Sequence, residues 1–252
     1  MRFAWDYREQ YLVEQQLGPL RRRLASQATK RIQRWDKAGS SGVDIWLANS
    51  QTVANRIKRY YQQHAEVVYP PVVTSLYTPK PNKRNYYLTL SGLTPYKKIE
   101  LAIAACNISG RQLIVAGEGT DRVRLEKLAG PTIRFTGYVS NAKKRQLLEN
   151  AKGLIYPNEE DFGIVPVEAM AAGTPVIAFN SGGVAETVVQ GKTGWLFKEQ
   201  TIAGLVRALN KFETMQFSTN ALAQRAALFD SSIFRKRIKQ IVGEASSRVK
   251  TN

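Results

Sequence analysis

Apolar residues along this chain arrive in short runs rich in Val, Ile and Leu. Between the runs lie longer stretches in which apolar positions recur every three or four residues. The first pattern predicts buried strands and the second amphipathic helices. Strands are expected near residues 86–91, 112–116, 132–135, 153–156 and 175–179, and helices near 97–106, 120–129, 140–150 and 164–172. Such regular alternation implies a parallel sheet flanked by helices, an α/β fold. Ser140 or Asn141 is the expected cap of the third helix. Upstream, residues 43–48 read as a strand, residues 50–61 as a helix capped by Asn49 or Ser50, and residues 67–72 as an extended segment stiffened by Pro70 and Pro71. Residues 221–242 alternate apolar and basic positions at helical spacing.

The chemistry concentrates in residues 160–178, which read EDFGIVPVEAMAAGTPVIA. An acidic, Gly-containing loop feeds a helix, a small-residue turn and a buried strand, the way α/β folds build ligand sites beyond their strand ends. Glu160 and Glu168 frame the helix start, and each carboxylate can hold a vicinal diol, as in a sugar or a ribose. Between them the helix-start amides of Gly163, Ile164 and Val165 offer donors to a phosphate or to sugar oxygens. Pro166 suits the first helical turn, where a missing N–H costs little. Two carboxylates at one spacing also suit an ordinary charged loop and amphipathic helix, so the rest of the chain has to decide.

The whole stretch resembles the donor-site signature of retaining GT-B glycosyltransferases of family 4, the group 1 enzymes that include many mannosyltransferases. The likeness extends through LTLSGLTPYKKIELAI (88–103), LIVAGEG (113–119), IRFTGYV (133–139), SGGVAE (181–186) and TGWLF (193–197). What the resemblance implies is transfer of a sugar from a nucleoside diphosphate sugar to a hydroxyl with retention, GDP-mannose ahead of UDP-sugars, with no metal and no further cofactor. Lys97 would meet the diphosphate, helped by the Gly163–Val165 amides and the Gly182-Gly183 turn. Glu160 would hold the donor sugar and Glu168 the ribose. Gly117 and Gly119 would form the next turn of the donor site, with Glu186 a weaker candidate.

In the same terms, residues 1–73 match the end of an N-terminal GT-B lobe, 74–84 a linker, 85–215 the C-terminal, Rossmann-like nucleotide-sugar-binding lobe, and 216–252 helices returning toward the N-terminal lobe. Residues 1–6 resemble an internal segment of that first lobe, just past the family's catalytic-site histidine, which His64 does not replace. Gly92 stands where the family usually places an Arg five residues before the Lys. A charge-assisted hydrogen bond is worth about 1.5–3 kcal/mol, so its loss would lower donor affinity and rate. Lys98 or Arg84 is a substitute cation to consider, while Gly92 itself also suits a tight turn without a Cβ. The terminal helices would offer an apolar face to self-association or to a separately encoded N-terminal lobe.

Charge sharpens the picture. Thirty-seven Lys and Arg against 20 Asp and Glu leave +17, and residues 1–60 alone hold 12 basic and 5 acidic residues. Arg21-Arg22-Arg23, Lys30-Arg31 and Trp35 on one helical stretch suit an anionic membrane surface, and equally a solvated charged face. Many members of the family act on lipid-linked acceptors, so the resemblance implies a cytoplasmic chain, peripheral on the inner face of a membrane. No run is long and apolar enough to span a bilayer. Nucleic acid would be attracted only without sequence preference, because no recognition motif is present. Cys106 reads as a small core residue, and a single cysteine excludes an internal disulfide. Two function classes remain: a glycosyltransferase, and a nucleotide-sugar-binding module that is catalytically incomplete. A GT-B nucleotide-sugar epimerase is a related third.

Overall fold

The computed structural model describes residues 5–6, 18–81 and 85–250. The expectations placed on residues 1–4 and on Arg84 lie outside these. The described chain divides into two compact units, the first holding residues up to Leu47 together with 55–66, the second 48–54 and everything from Val67 onward.

In the first unit, helix α1 (Pro19–Gly39) begins on a proline after Gly18, and Ser40 closes its C-terminus. Strand β1 (Leu47–Ala48) and strand β2 (Glu66–Val67) flank helix α2 (Gln51–Tyr61), which contributes residues 55–61 here. The Glu66 N–H donates to the Trp46 carbonyl at 2.9 Å. Residues 43–46, expected as strand, are irregular: Val43, Ile45 and Leu47 are all about two-fifths exposed, so their alternation has no face to bury. Trp5 stacks on Tyr60 at 4.6 Å between ring centres and donates from Nε1 to Asp36 at 2.9 Å, and Tyr61 donates to the same carboxylate.

In the second unit Ser50 caps α2, accepting from the Val53 N–H at 3.1 Å. Six parallel strands follow: β3 (Tyr87–Leu90), β4 (Leu113–Ala116), β5 (Ile133–Gly137), β6 (Gly153–Tyr156), β7 (Val176–Phe179) and β8 (Gly194–Phe197). Their order is β5-β4-β3-β6-β7-β8, so the winding reverses between β3 and β6. Helices α3 (Ile99–Ser109), α4 (Arg122–Leu128), α5 (Asn141–Asn150), α6 (Ile164–Ala171), the single turn α7 (Val184–Thr187), α8 (Ile202–Glu213), α9 (Thr219–Ala227) and α10 (Ser231–Lys250) complete the unit. Of the two candidate caps Ser140 serves α5, accepting from the Lys143 N–H.

Alternate strand residues feed two cores, as period-2 geometry requires. Leu88, Leu154 and Val176 join Leu148, Met170, Leu222 and Ala226 on one face. Tyr87, Ile155 and Ile177 join Ile103, Cys106, Leu205 and Leu209 on the other. Cys106 is therefore core, and burial pushes its thiol up to about 12.

Residues 221–242 form parts of two helices rather than one, broken at 228–230. Asp230 causes the break and caps α10: its carboxylate accepts from the Ser232 N–H at 2.9 Å and from the Thr74 hydroxyl at 2.7 Å. Leu222 and Ala226 are buried in the core, so the expected unpartnered apolar face shrinks to Leu228, Ile233 and Val242. The segment expected as a linker is anchored through residue 78, because Tyr77 is buried and the Thr78 N–H donates to Glu149 at 3.1 Å. Residues 48–54 and 67–73, expected with the N-terminal remnant, cluster with the second unit. Val72 explains part of this, exchanging backbone bonds with Phe229 and Ser231.

Candidate active site

In a parallel sheet the loops after the strands converge at one edge, and the point where the winding reverses opens a crevice there. The loop after β3 carries Lys97 and the loop after β6 carries Glu160, so these two side chains flank that crevice. They form an ion pair, with the Lys97 side chain 12% exposed and that of Glu160 25%. Lys97 ends a single 3-10 turn, residues 95–97, and its ammonium lies 5.0 Å from the centre of the Tyr96 ring. Lys98, next in sequence, adopts φ +54°, a left-handed conformation that a side chain takes only at some cost. The second oxygen of Glu160 accepts from the hydroxyl of Tyr156, the last residue of β6 and itself buried.

The loop bearing Glu160 is held from below. The Gly183 N–H donates to the Glu160 carbonyl at 2.8 Å, and a Cβ on Gly182 would sit 2.2 Å from that carbonyl oxygen. Phe162 anchors the loop further, packing with Tyr69 and Phe229 at ring distances of 5.7 Å each. Gly163 then opens α6, whose first amides, those of Ile164 and Val165 among them, have no carbonyl a turn earlier to accept them. Glu168 lies one turn further on, 8% exposed. It accepts from Lys144 Nζ on α5 at 2.6 Å and from the hydroxyl of Tyr77. Burial, and then the Glu168 charge, raise the Tyr77 phenol well above its usual range, so it stays a donor.

Several other residues expected at the donor site also have a part in holding the fold. Gly117 donates its N–H to the Gly137 carbonyl at 2.9 Å, and a Cβ there would lie 1.9 Å from the Ser91 carbonyl oxygen. A Cβ on Gly119 would likewise meet Leu93. These two glycines let the loops after β3 and β4 touch, and Gly182 and Gly183 do the same for the loops after β6 and β7. Glu186 is engaged with the start of α2 and with Tyr69. Its Oε1 accepts from the N–H and hydroxyl of Thr52 at 2.8 and 2.9 Å, and its Oε2 from the Gln51 N–H at 2.8 Å and the Tyr69 hydroxyl at 3.2 Å. All four acceptor positions of that carboxylate are filled, and the first two amides of α2 are thereby capped.

Gly92 corrects a second expectation. It has no left-handed backbone, and a Cβ there would meet only the Glu118 carbonyl oxygen at 3.9 Å, so the turn does not require a glycine. Four residues bearing on the site escaped the sequence: Tyr156, Lys144, Tyr77 and Asn158. Asn158 is 1% exposed, and neither its Nδ2 nor the Thr94 Oγ1 finds a hydrogen-bond partner among the described residues. Both atoms sit in the two loops that flank the crevice, where a buried polar group lacking a partner calls for an ordered water or a ligand.

A family model described as "Glycosyl transferases group 1" matches residues 77–229. The human alpha-1,3/1,6-mannosyltransferase ALG2 is 30% identical to the chain, over 76% of this chain and 56% of the human protein. The chain thus spans little more than half the length of that curated relative. Among solved structures, sucrose-phosphate synthase from Thermosynechococcus elongatus superposes with a TM-score of 0.79 at 22% identity, over 87% of this chain and 62% of that one. The Anabaena protein HepE, solved in complex with UDP-glucose, superposes with a TM-score of 0.72 at 20% identity, over 84% and 67%.

Proposed function

The chain belongs to the group 1 glycosyl transferases, and on that premise we propose that it moves a hexose, mannose by preference, from a nucleoside diphosphate sugar to a hydroxyl with retention, as the family 4 enzymes do. The observation that carries this reading is the Lys97–Glu160 pair at the reversal of the sheet, with Tyr156 behind it and the start of α6 beside it. In the reaction the bond from the anomeric carbon to the diphosphate breaks. A bond to the acceptor oxygen forms on the same face of the sugar, and the acceptor's proton leaves toward the departing phosphate. Negative charge therefore grows on the diphosphate, where a cation and helix-start amides stabilise it most. Lys97 exchanges the Glu160 carboxylate for the diphosphate, and the first amides of α6 donate to the same group. Glu160, released on one oxygen and still held by Tyr156 on the other, accepts hydroxyls of the donor sugar. Glu168 exchanges the Tyr77 hydroxyl for the ribose and keeps Lys144.

GDP-mannose is the donor put first, because the human relative is a mannosyltransferase by name. UDP-sugars come second, because the Anabaena protein binds UDP-glucose. The acceptor is a hydroxyl, lipid-linked in the version favoured here. Gly92 in place of a cation supports a second reading, in which the chain binds the donor but needs another polypeptide to complete transfer.

Calorimetric titration with GDP, UDP, GDP-mannose and UDP-glucose tests the site. One nucleotide should bind saturably, and Lys97→Ala should weaken it roughly 10- to 100-fold, the worth of a charge-assisted hydrogen bond. Absence of saturable binding by all four ligands defeats both readings. Binding without nucleoside diphosphate release, in the presence of a lipid-linked acceptor, selects the module.

A further inference from the structure

Helix α1 has no buried residue along its 21 positions. Its partly covered side chains still fall on one side: Ala25, Ser26, Thr29, Ile32, Gln33 and Asp36 are intermediate in exposure, and at about 100° per residue they share one arc. That arc is the inner face, because Asp36 receives hydrogen bonds from Trp5 and Tyr61 within the same unit. On the opposite arc stand Leu20, Leu24 and Trp35, which are 72%, 58% and 71% exposed. Arg31 lies among them, with Arg23 and Arg34 along one margin, all exposed. The helix carries seven Lys and Arg in all, and its single acid, Asp36, is turned away from this face.

We infer that the outer face of α1 lies flat on an anionic phospholipid surface, with Leu20, Leu24 and Trp35 entering the boundary between headgroups and acyl chains and the arginines around them pairing with lipid phosphates. Both halves of the pattern are needed for that occupant. Cations alone would suit any polyanion, but the large apolar side chains between them gain nothing from a phosphate backbone in water. Apolar residues alone would suit a second copy of the chain, but that would press two strongly cationic faces together. Interleaved cations, aliphatics and a Trp on one exposed helical face match a headgroup region, which offers negative charge and an apolar layer directly beneath it. No helix among the described residues is long and apolar enough to cross a membrane, so contact would be interfacial. The inference stands apart from the donor-site reading, since none of these residues belongs to that site.

Sedimentation of the full chain with vesicles tests it, using phosphatidylcholine alone or mixed with phosphatidylserine. The wild type should sediment with the mixed vesicles at least tenfold better than with the neutral ones. Replacing Leu20, Leu24 and Trp35 together by Ser should remove most of that binding, and so should Arg23→Gln with Arg31→Gln and Arg34→Gln. All six side chains are exposed, so circular dichroism should show both variants folded. Unchanged binding of the Ser variant overturns the inference, because charge alone would then explain attachment. Equal binding to both vesicle types, or no vesicle binding together with retention on single-stranded nucleic acid, overturns it too.

Discussion

Glu160 meets a different partner at each of its oxygen atoms: Lys97 at one carboxylate oxygen, the Tyr156 hydroxyl at the other, and the Gly183 N–H at its main-chain carbonyl. Lys97 is the partner that a diphosphate would draw away, which leaves Tyr156 to hold the carboxylate at the moment it must receive a sugar. Tyr156→Phe removes that one donor and keeps the buried ring. The expected outcome is an unchanged affinity for the nucleoside diphosphate, with the extra affinity of the nucleotide sugar reduced by about 1–2 kcal/mol. Comparative titration of the two ligands checks it, and an equal loss for both would make Tyr156 a general support of the loop. Gly92 invites the opposite experiment, because its backbone and surroundings accept a side chain. Gly92→Arg should leave stability unchanged or raise it by about 0.4–1 kcal/mol through the unfolded chain, and should tighten nucleoside diphosphate binding roughly tenfold. Thermal melts and the same titration read both effects. Glu160, Glu168 and Lys97 were legible in the sequence because they stand in one contiguous motif or at a fixed place in a βα turn. Lys144 and Tyr77 were not, since they reach Glu168 from other elements distant in sequence, and Tyr156, only four residues before Glu160, carries nothing in its local sequence that marks its hydroxyl as the partner.

Five of the six strands of the second unit were legible because each carries a short apolar run, with Leu154 and Ile155 or Val176 and Ile177 facing opposite cores. Strand β8 escaped because it is an edge strand of four residues with Trp195 and Leu196 only partly buried, so its apolar run has little contrast with its surroundings. The break between α9 and α10 escaped for another reason. Asp230 stops the helical pattern by capping α10 and reaching back to Thr74, a contact 156 residues away in sequence. Asp230→Ala should therefore cost about 1–2 kcal/mol, the usual loss for a cap. The hydrogen bonds from Ser232 and then Thr74 hold the Asp230 carboxyl far below its ordinary range. A depressed folded value means that its contribution is complete above the unfolded carboxylate value of about 3.9 and is lost as pH falls through the folded one. The stability difference between wild type and variant should then be constant from neutral pH to about 4 and narrow only in stronger acid. Denaturant melts across that range check it, and a gap that closes near neutrality would remove Asp230 from the account. Glu186 is the second long-range cap, joining α7 to the start of α2 with all its acceptor positions used. Its motif was readable, but its partners were not.

Across the whole molecule the excess of 17 positive charges sets a background against which any phosphate ligand must be judged. A nucleoside diphosphate, an anionic bilayer and a nucleic acid would all be attracted, and attraction alone assigns no site. Salt separates them, because exposed charges are screened beyond about 10 Å at 0.1 M ionic strength while a partly buried pair is screened much less. The Lys97 side chain is 12% exposed, whereas the arginines of α1 stand in solvent. Attachment to mixed vesicles should therefore collapse between low and high salt, as many weak exposed contacts are lost together. Nucleoside diphosphate binding should fall by a much smaller factor over the same range, and Lys97→Ala should remove most of the salt-resistant part. Titrations at several potassium chloride concentrations measure both responses. If the two fell in parallel, the nucleotide would be held by the general field of the protein and not by the crevice between β3 and β6, and the donor site would lose its claim to be built for its ligand.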